Sequence, residues 1–132
     1  VGAGLAFATG TSWGTFGILI PIAIAIVGTD SPVLVLCVAA ILSGAVAGDH
    51  ASPISDTTIL ASAGAQCHHI DHVSTQIPYV LVVVSACTVG YIVDGFTMNG
   101  WAGLAVAATI LAIVMAVVYW RVPVPLNDRR AD

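Results

Sequence analysis

Within residues 47–64, AGDHASPISDTTILASAG, the sequence places two carboxylates (Asp49 and Asp56), one imidazole (His50), five hydroxyl side chains and a proline. Carboxylate, hydroxyl and backbone carbonyl oxygens are hard ligands, which suit a small alkali cation such as Na⁺ better than a soft transition metal. A carboxylate withdrawn from water also favours its protonated form, so a proton competes with that cation for the same oxygens. One site with two mutually exclusive occupants is the minimal physics of exchange. Asp49 and Asp56 are therefore the candidate Na⁺ ligands. Asp49 is the principal proton and cation carboxylate, and Asp56 is either a second ligand or the cap of a following helix. The alternative reading of the same residues is a satisfied polar knot that packs a helix break and carries nothing.

The elements that must hold these groups are strongly apolar. Of 132 residues, 58% are hydrophobic and 8% charged, against ~25% charged in soluble domains, and the mean hydropathy is +1.02. Formal charge is absent from residues 1–29, 31–48, 73–93 and 95–120, runs that match the ~20 apolar residues needed to cross hydrocarbon. The pattern predicts helices over Thr11–Gly28, with Pro21 inside, over Pro32 to Gly48, over Ile77 to Val93 and over Trp101 to Trp120, with a short helical piece over Asp56–Ala65. Neither Pro32–Gly48 nor Asp56–Ala65 spans a bilayer comfortably alone, and together they overshoot. An unpaired charge in mid-membrane costs at least ~2.5–3.5 kcal/mol, so two aspartates part-way along such a path are not decoration. Pro53 removes a backbone donor and clashes with the carbonyl four residues earlier, while Gly48 and Ser52 weaken the helix nearby, so it should open between Gly48 and Ser55. Irregular backbone at that depth is tolerated only where protein buries it or where it lines a wet cavity. The C-terminal dipole of the first half favours a cation, and the N-terminus of the second offers N–H donors.

The remaining features bound the reading. The chain has no lysine or glutamate and a net charge of -4, so no basic patch exists for nucleic acid. Cys37, Cys67 and Cys87 form no CxxC pair and no disulfide framework. All three arginines stand at or after Arg121, which by the positive-inside rule makes the tail cytoplasmic, the 95–100 loop external and the histidine loop internal. Trp101 and Trp120 suit the two interfacial belts. In TGTSW, Thr9–Trp13, the hydroxyls serve as a helix cap or as ligands. His68 and His72, at i and i+4 near Cys67, His69 and Asp71, raise a metal reading; a plain interfacial loop, with pH sensing open to its histidines, is preferred. Asp94 is expected at a segment end, where water reaches it. Gly10/Gly14, Gly44/Gly48 and Ala61/Ala65 are small-residue pairs suited to close helix packing. The opening residues continue an apolar pattern without the basic start of a signal peptide, and the chain reads as a fragment.

Three blocks, ATGTSWGTFGILIPIA, GDHASPISDTTILASAGAQC and HIDHVSTQIPY, occur in the order in which they resemble the C-terminal half of the NhaC-type sodium/proton antiporters. The resemblance covers roughly residues 8–79. It implies an all-α polytopic membrane helix bundle with a broken helix and part of a re-entrant hairpin, one half of an inverted-repeat transporter, in which residues 1–132 form a single transmembrane domain. On that template Thr9–Ser12 is the hairpin tip, the following segment its second arm, reaching from mid-membrane to the outer surface, and Gly48–Ser55 the unwound stretch. Thr11, Ser12, Asp49, His50, Ser52, Asp56 and Thr57 are carried over as cation- and proton-binding residues, with no catalytic residue. The expected function is secondary active exchange of Na⁺ for H⁺ across the cytoplasmic membrane; coupled transport of an organic acid such as malate or lactate is the runner-up. No cofactor is expected beyond the transported Na⁺. The expected partners are the lipid bilayer, Na⁺ and H⁺, the missing N-terminal half of the same protein and a second copy in a homodimer. An intramembrane aspartyl protease is disfavoured, because Val46, Ala47 and Gly48 before Asp49 do not give its Gly-x-Gly-Asp signature.

Overall fold

The computed structural model describes residues 1–121, and in them the chain is a succession of α-helices: α1 (Gly2–Thr9), α2 (Ser12–Val27), α3 (Val33–Ala51), α4 (Asp56–Gly64), α5 (His69–Thr97) and α6 (Gly100–Arg121). No strand occurs among the described residues. Residues 122–132, on which most of the positive-inside argument rests, lie outside them. α3, α5 and α6 are each long and apolar enough to cross a membrane, and α2 is apolar but shorter. The chain is thus an all-α, multi-pass membrane bundle. Burial follows the logic of lipid as solvent. Among the described residues the buried apolar side chains are only Ala6, Ala45, Val73 and Ala86, whereas Ser12, Thr15, Asp49, Ser52, Ser55, Thr58, Ser62 and Asp94 are all buried. Hydrocarbon accepts leucine and valine on the outside, and polar groups must find partners within the protein. Trp101 and Trp120, at the two ends of α6, are exposed, as belt residues should be.

Small residues set the packing of the first three helices. Gly2 lies against Ile41 and Ala45, and Gly48 against Ala3, so α1 and α3 run in parallel. At Gly48 the space a Cβ would need is filled by the Ala3 carbonyl, a backbone atom that cannot swing aside. Gly10 then reverses the chain in a left-handed conformation (φ 67°), its N–H bonded to Ala6 O, and α2 returns alongside with Leu19 beside Gly2. The 16 residues of α2 extend ~24 Å, most of a ~30 Å core, so α2 is longer than the half-membrane arm expected from the hairpin template. Thr11 Oγ1 accepts the Gly14 N–H at 3.3 Å, an N-cap bond, and Thr11 O accepts from Thr15 Oγ1 at 2.9 Å.

α5 runs antiparallel to α3. Tyr91 Oη donates to Ala39 O at 3.1 Å and accepts from Ser43 Oγ at 2.9 Å, while Gln76, fifteen residues earlier, donates to His50 O. α5 is longer than the predicted Ile77–Val93, because the stretch expected as an interfacial loop is helical from His69. Its polar first turns hold themselves: Ser74 and Thr75 hydroxyls bond back to Asp71 O, and Asp71 faces the positive end of the helix. At the other end α5 continues past Asp94 to Thr97 before Met98, in left-handed conformation, turns the chain into α6. Asp94 is therefore buried rather than water-exposed, and its Oδ1 accepts the Gly103 N–H at 2.8 Å. This N–H stands in the first turn of α6, where the Asn99 carbonyl takes the Ala102 N–H at 2.9 Å.

Candidate functional site

The helix does break in the polar stretch, but over Ser52–Ser55 rather than from Gly48. Pro53 withholds the bond that Asp49 O would otherwise receive; Ser52 N–H donates to it instead, at 3.0 Å, and closes the last turn. Carbonyls up to Ala47 keep their donors four residues on, and Gly48, wedged on Ala3, stays within α3. Beyond the break α4 does not prolong α3. Thr58 Oγ1 donates to His50 O at 3.1 Å, whereas eight residues of straight helix would separate the two by ~12 Å. α4 is folded back on the end of α3, so the two halves do not add up to an over-long span.

Asp49 is buried in this corner, 5% exposed. Its Oδ1 accepts from Ser55 Oγ at 2.7 Å, and Ser55 Oγ lies 2.8 Å from Thr57 Oγ1. An ionised carboxylate only accepts, so Ser55 spends its single proton on Asp49 and Thr57 donates to Ser55. A proton arriving on Asp49 allows the chain Asp49–Ser55–Thr57 to run in the opposite sense. Ser52 is fully buried, its hydroxyl accepting the Ile54 N–H at 3.4 Å. The carbonyl end of α3 and the carboxylate both favour a cation here.

The other expected site residues fall into two groups. Gly10, at the α1–α2 tip, abuts the carbonyl and side chain of Ile54, so the tip that carries Thr11 and buried Ser12 meets the break. His50, Asp56 and Thr57 are exposed. His50 Nδ1 turns back to Val46 O at 3.0 Å, and Asp56 occupies the first turn of α4, whose N-cap is Ser55. Asp56 is thus neither the cap nor brought to Asp49 by any hydrogen bond among the described residues. No group of three or more His, Cys, Asp and Glu side chains comes together among those residues, and His68 stands outside α5 as its N-cap.

Sequence reasoning missed three residues at the break. Ser55 is the direct partner of Asp49. His69, at the start of α5, reaches Pro53 O with Nε2 at 2.7 Å and Ser62 Oγ with Nδ1 at 3.1 Å. A carbonyl cannot donate, so Nε2 carries the proton and His69 latches the break to α5. Gln76 Nε2 donates to His50 O at 2.9 Å. Polar residues two turns apart at the start of an apolar run were the one available signal. A cavity of about 470 Å³ lies elsewhere, between α3, α5 and α6, beside Tyr91 and Asp94; its lining does not include Asp49.

Residues 1–96 match the model of the Na⁺/H⁺ antiporter family. The chain is 56% identical over 116 residues to an uncharacterized protein of Haemophilus influenzae, covering 87% of this chain and 22% of that one. It is 38% identical over 97 residues to the malate-2H(+)/Na(+)-lactate antiporter of Bacillus subtilis, covering 69% and 20% of the two chains. It is also 43% identical over 82 residues to the arginine/ornithine antiporter ArcD of Halobacterium salinarum, covering 60% and 16%. The chain therefore spans about a fifth of the length of these relatives. No solved structure matches it.

Proposed function

From the premise that the chain belongs to the Na⁺/H⁺ antiporter family, whose members are transporters and not enzymes, we propose that it supplies the ion-binding corner of a secondary active antiporter that exchanges Na⁺ for H⁺ at Asp49. The observation that carries this reading is a buried carboxylate at an interrupted helix, met by the tip of a helical hairpin. In the Na⁺ state Asp49 and the hydroxyls of Ser55 and Ser52 supply oxygens, and in the proton state the carboxyl group is neutral and held by Ser55. Either occupant neutralises the buried charge of Asp49, so the site is inexpensive to carry across the barrier when filled and costly when empty. That difference couples the two fluxes. Short coverage of the relatives supports a further part of the proposal: the chain works within a longer transporter, whose other segments complete the site and move against it.

The test is proton flux in vesicles holding the full-length transporter, driven by Na⁺, Li⁺ or K⁺ gradients. Na⁺-driven flux is expected in the wild type and is lost in Asp49→Asn. Because one proton and one cation compete, the Na⁺ concentration for half-maximal flux should rise as pH falls, by at most about tenfold per pH unit. Flux that survives Asp49→Asn would reject the site.

A second reading is favoured by the names of two relatives and by one feature of the geometry. The N-termini of α2 and α4 both lie at the break and present N–H groups, which suit a carboxylate. The carried species would then be a small organic ion coupled to Na⁺ or H⁺. Gradients of malate, lactate, arginine and ornithine in the same vesicles separate the two readings.

A further inference from the structure

Gln76 lies on α5, seven residues after His69, and is part-buried against the end of α3. A backbone carbonyl only accepts, so the 2.9 Å contact with His50 O is made by the amide NH₂, which fixes the side chain and turns Oε1 away from that carbonyl. Oε1 is buried and has no hydrogen-bond partner, the one such side-chain atom among the described residues. A buried acceptor without a donor is destabilising, and an apolar side chain of similar size would remove the penalty. The oxygen also sits on a well-held frame. His50 O accepts from Thr58 Oγ1 as well, so the α3 end next to Asp49 is tied to α4 and α5 at one atom.

We propose that Gln76 Oε1 is a ligand of the transported cation, making α5 part of the site together with α3 and α4. The inference rests on the exchange at Asp49 proposed above. A neutral amide oxygen is a hard donor of the kind alkali and alkaline-earth cations take. It also adds an oxygen without adding charge: with Asp49 as the one carboxylate, the Na⁺-bound and proton-bound states are both neutral, whereas a second carboxylate would unbalance one of them. Gln76 is therefore a binding residue, and its bond to His50 is what places it.

The experiment uses the full-length transporter in vesicles at one alkaline pH, comparing wild type, Gln76→Leu and Gln76→Glu for Na⁺- and Li⁺-driven proton flux. Gln76→Leu is expected to raise the half-maximal Na⁺ concentration about five- to twentyfold, the loss of one good ligand bond, and to change the Na⁺/Li⁺ preference. Gln76→Glu keeps an oxygen but gives up the amide bond to His50 O that places it, so it too is expected to raise the half-maximal Na⁺ concentration and to change the Na⁺/Li⁺ preference. A mere strut gives a different pattern. Both variants would then weaken flux through the lost bond to His50 O, with the Na⁺/Li⁺ preference unchanged in both. Should neither variant insert, the wild type with isotope-labelled glutamine still decides the matter: exchange of choline for Na⁺ should shift a glutamine side-chain carbonyl band in infrared difference spectra. No shift overturns the proposal. Absence of any Na⁺-driven flux in wild type would instead reject the exchange reading itself, while flux that is lost in Asp49→Asn but indifferent to Gln76→Leu rejects only the role of Gln76.

Discussion

Asp49 and Asp56 carry the same functional group seven residues apart, and the structure gives them different surroundings. Asp49 is buried with one oxygen held by Ser55, while Asp56 is exposed on the first turn of α4, where a negative charge is favoured by the helix N-terminus. The two should therefore respond differently to the same change. Asp56→Asn is expected to leave the Na⁺ dependence of flux near that of the wild type and to lower thermal stability only slightly, whereas Asp49→Asn abolishes Na⁺-driven flux; equal loss in both would restore Asp56 as a ligand. The sequence was legible at this scale where chemistry and neighbours coincide. A proline four residues after an aspartate, in an apolar chain, announces a break with a carboxylate beside it. The exposure of Asp56 was not legible, because it depends on α4 folding back, which no local pattern encodes. Ser55, His69 and Gln76 were under-read because their partners lie 6, 16 and 26 residues away, beyond the reach of helical periodicity.

At the scale of elements, the helices were legible because lipid demands long apolar runs, and five of the six described helices correspond to predicted segments. Their ends were less so. The expected loop after residue 66 became two turns of α5 because its serine and threonine side chains bond to their own helix, an arrangement that polarity alone reads as coil. What brings the elements together is close approach at small residues, and this yields a contrast between two glycines. In Gly48→Ala the new Cβ meets the Ala3 carbonyl, so α1 must move away from α3 and take the tip at Gly10 with it. Gly17, inside α2, has nothing within 4 Å of where a Cβ would lie. Gly48→Ala should therefore destabilise the purified transporter by about 1–3 kcal/mol, while Gly17→Ala should be neutral or stabilising by up to ~1 kcal/mol. Thermal unfolding in detergent reads both, and a stable Gly48→Ala would show that α1 is not seated as described.

For the molecule as a whole, the question is how deep the site lies. α5 and α6 are antiparallel, so the His69 end of one and the Arg121 end of the other share a face, with the Met98–Asn99 turn on the opposite face. Pro32 and Val35 line the same cavity as Met98 and Asn99, so α3 starts at that opposite face. From Val33 to Asp49 the helix climbs ~24 Å of a ~30 Å core. The carboxylate thus stands nearer the face of His69 and Arg121 than the mid-membrane position expected from composition, and the way out to that face is short. In this conformation the site should open on one side only. A transporter in which Thr57→Cys is the sole cysteine tests this, since Thr57 is exposed yet hydrogen-bonded to Ser55. A membrane-impermeant thiol reagent is expected to label it from the face that also exposes Cys67 in a parallel sole-cysteine protein. Na⁺ should slow that labelling, because the cation engages the Ser55–Thr57 pair. Labelling solely from the opposite face would invert the assignment of depth and, with it, the route by which ions reach Asp49.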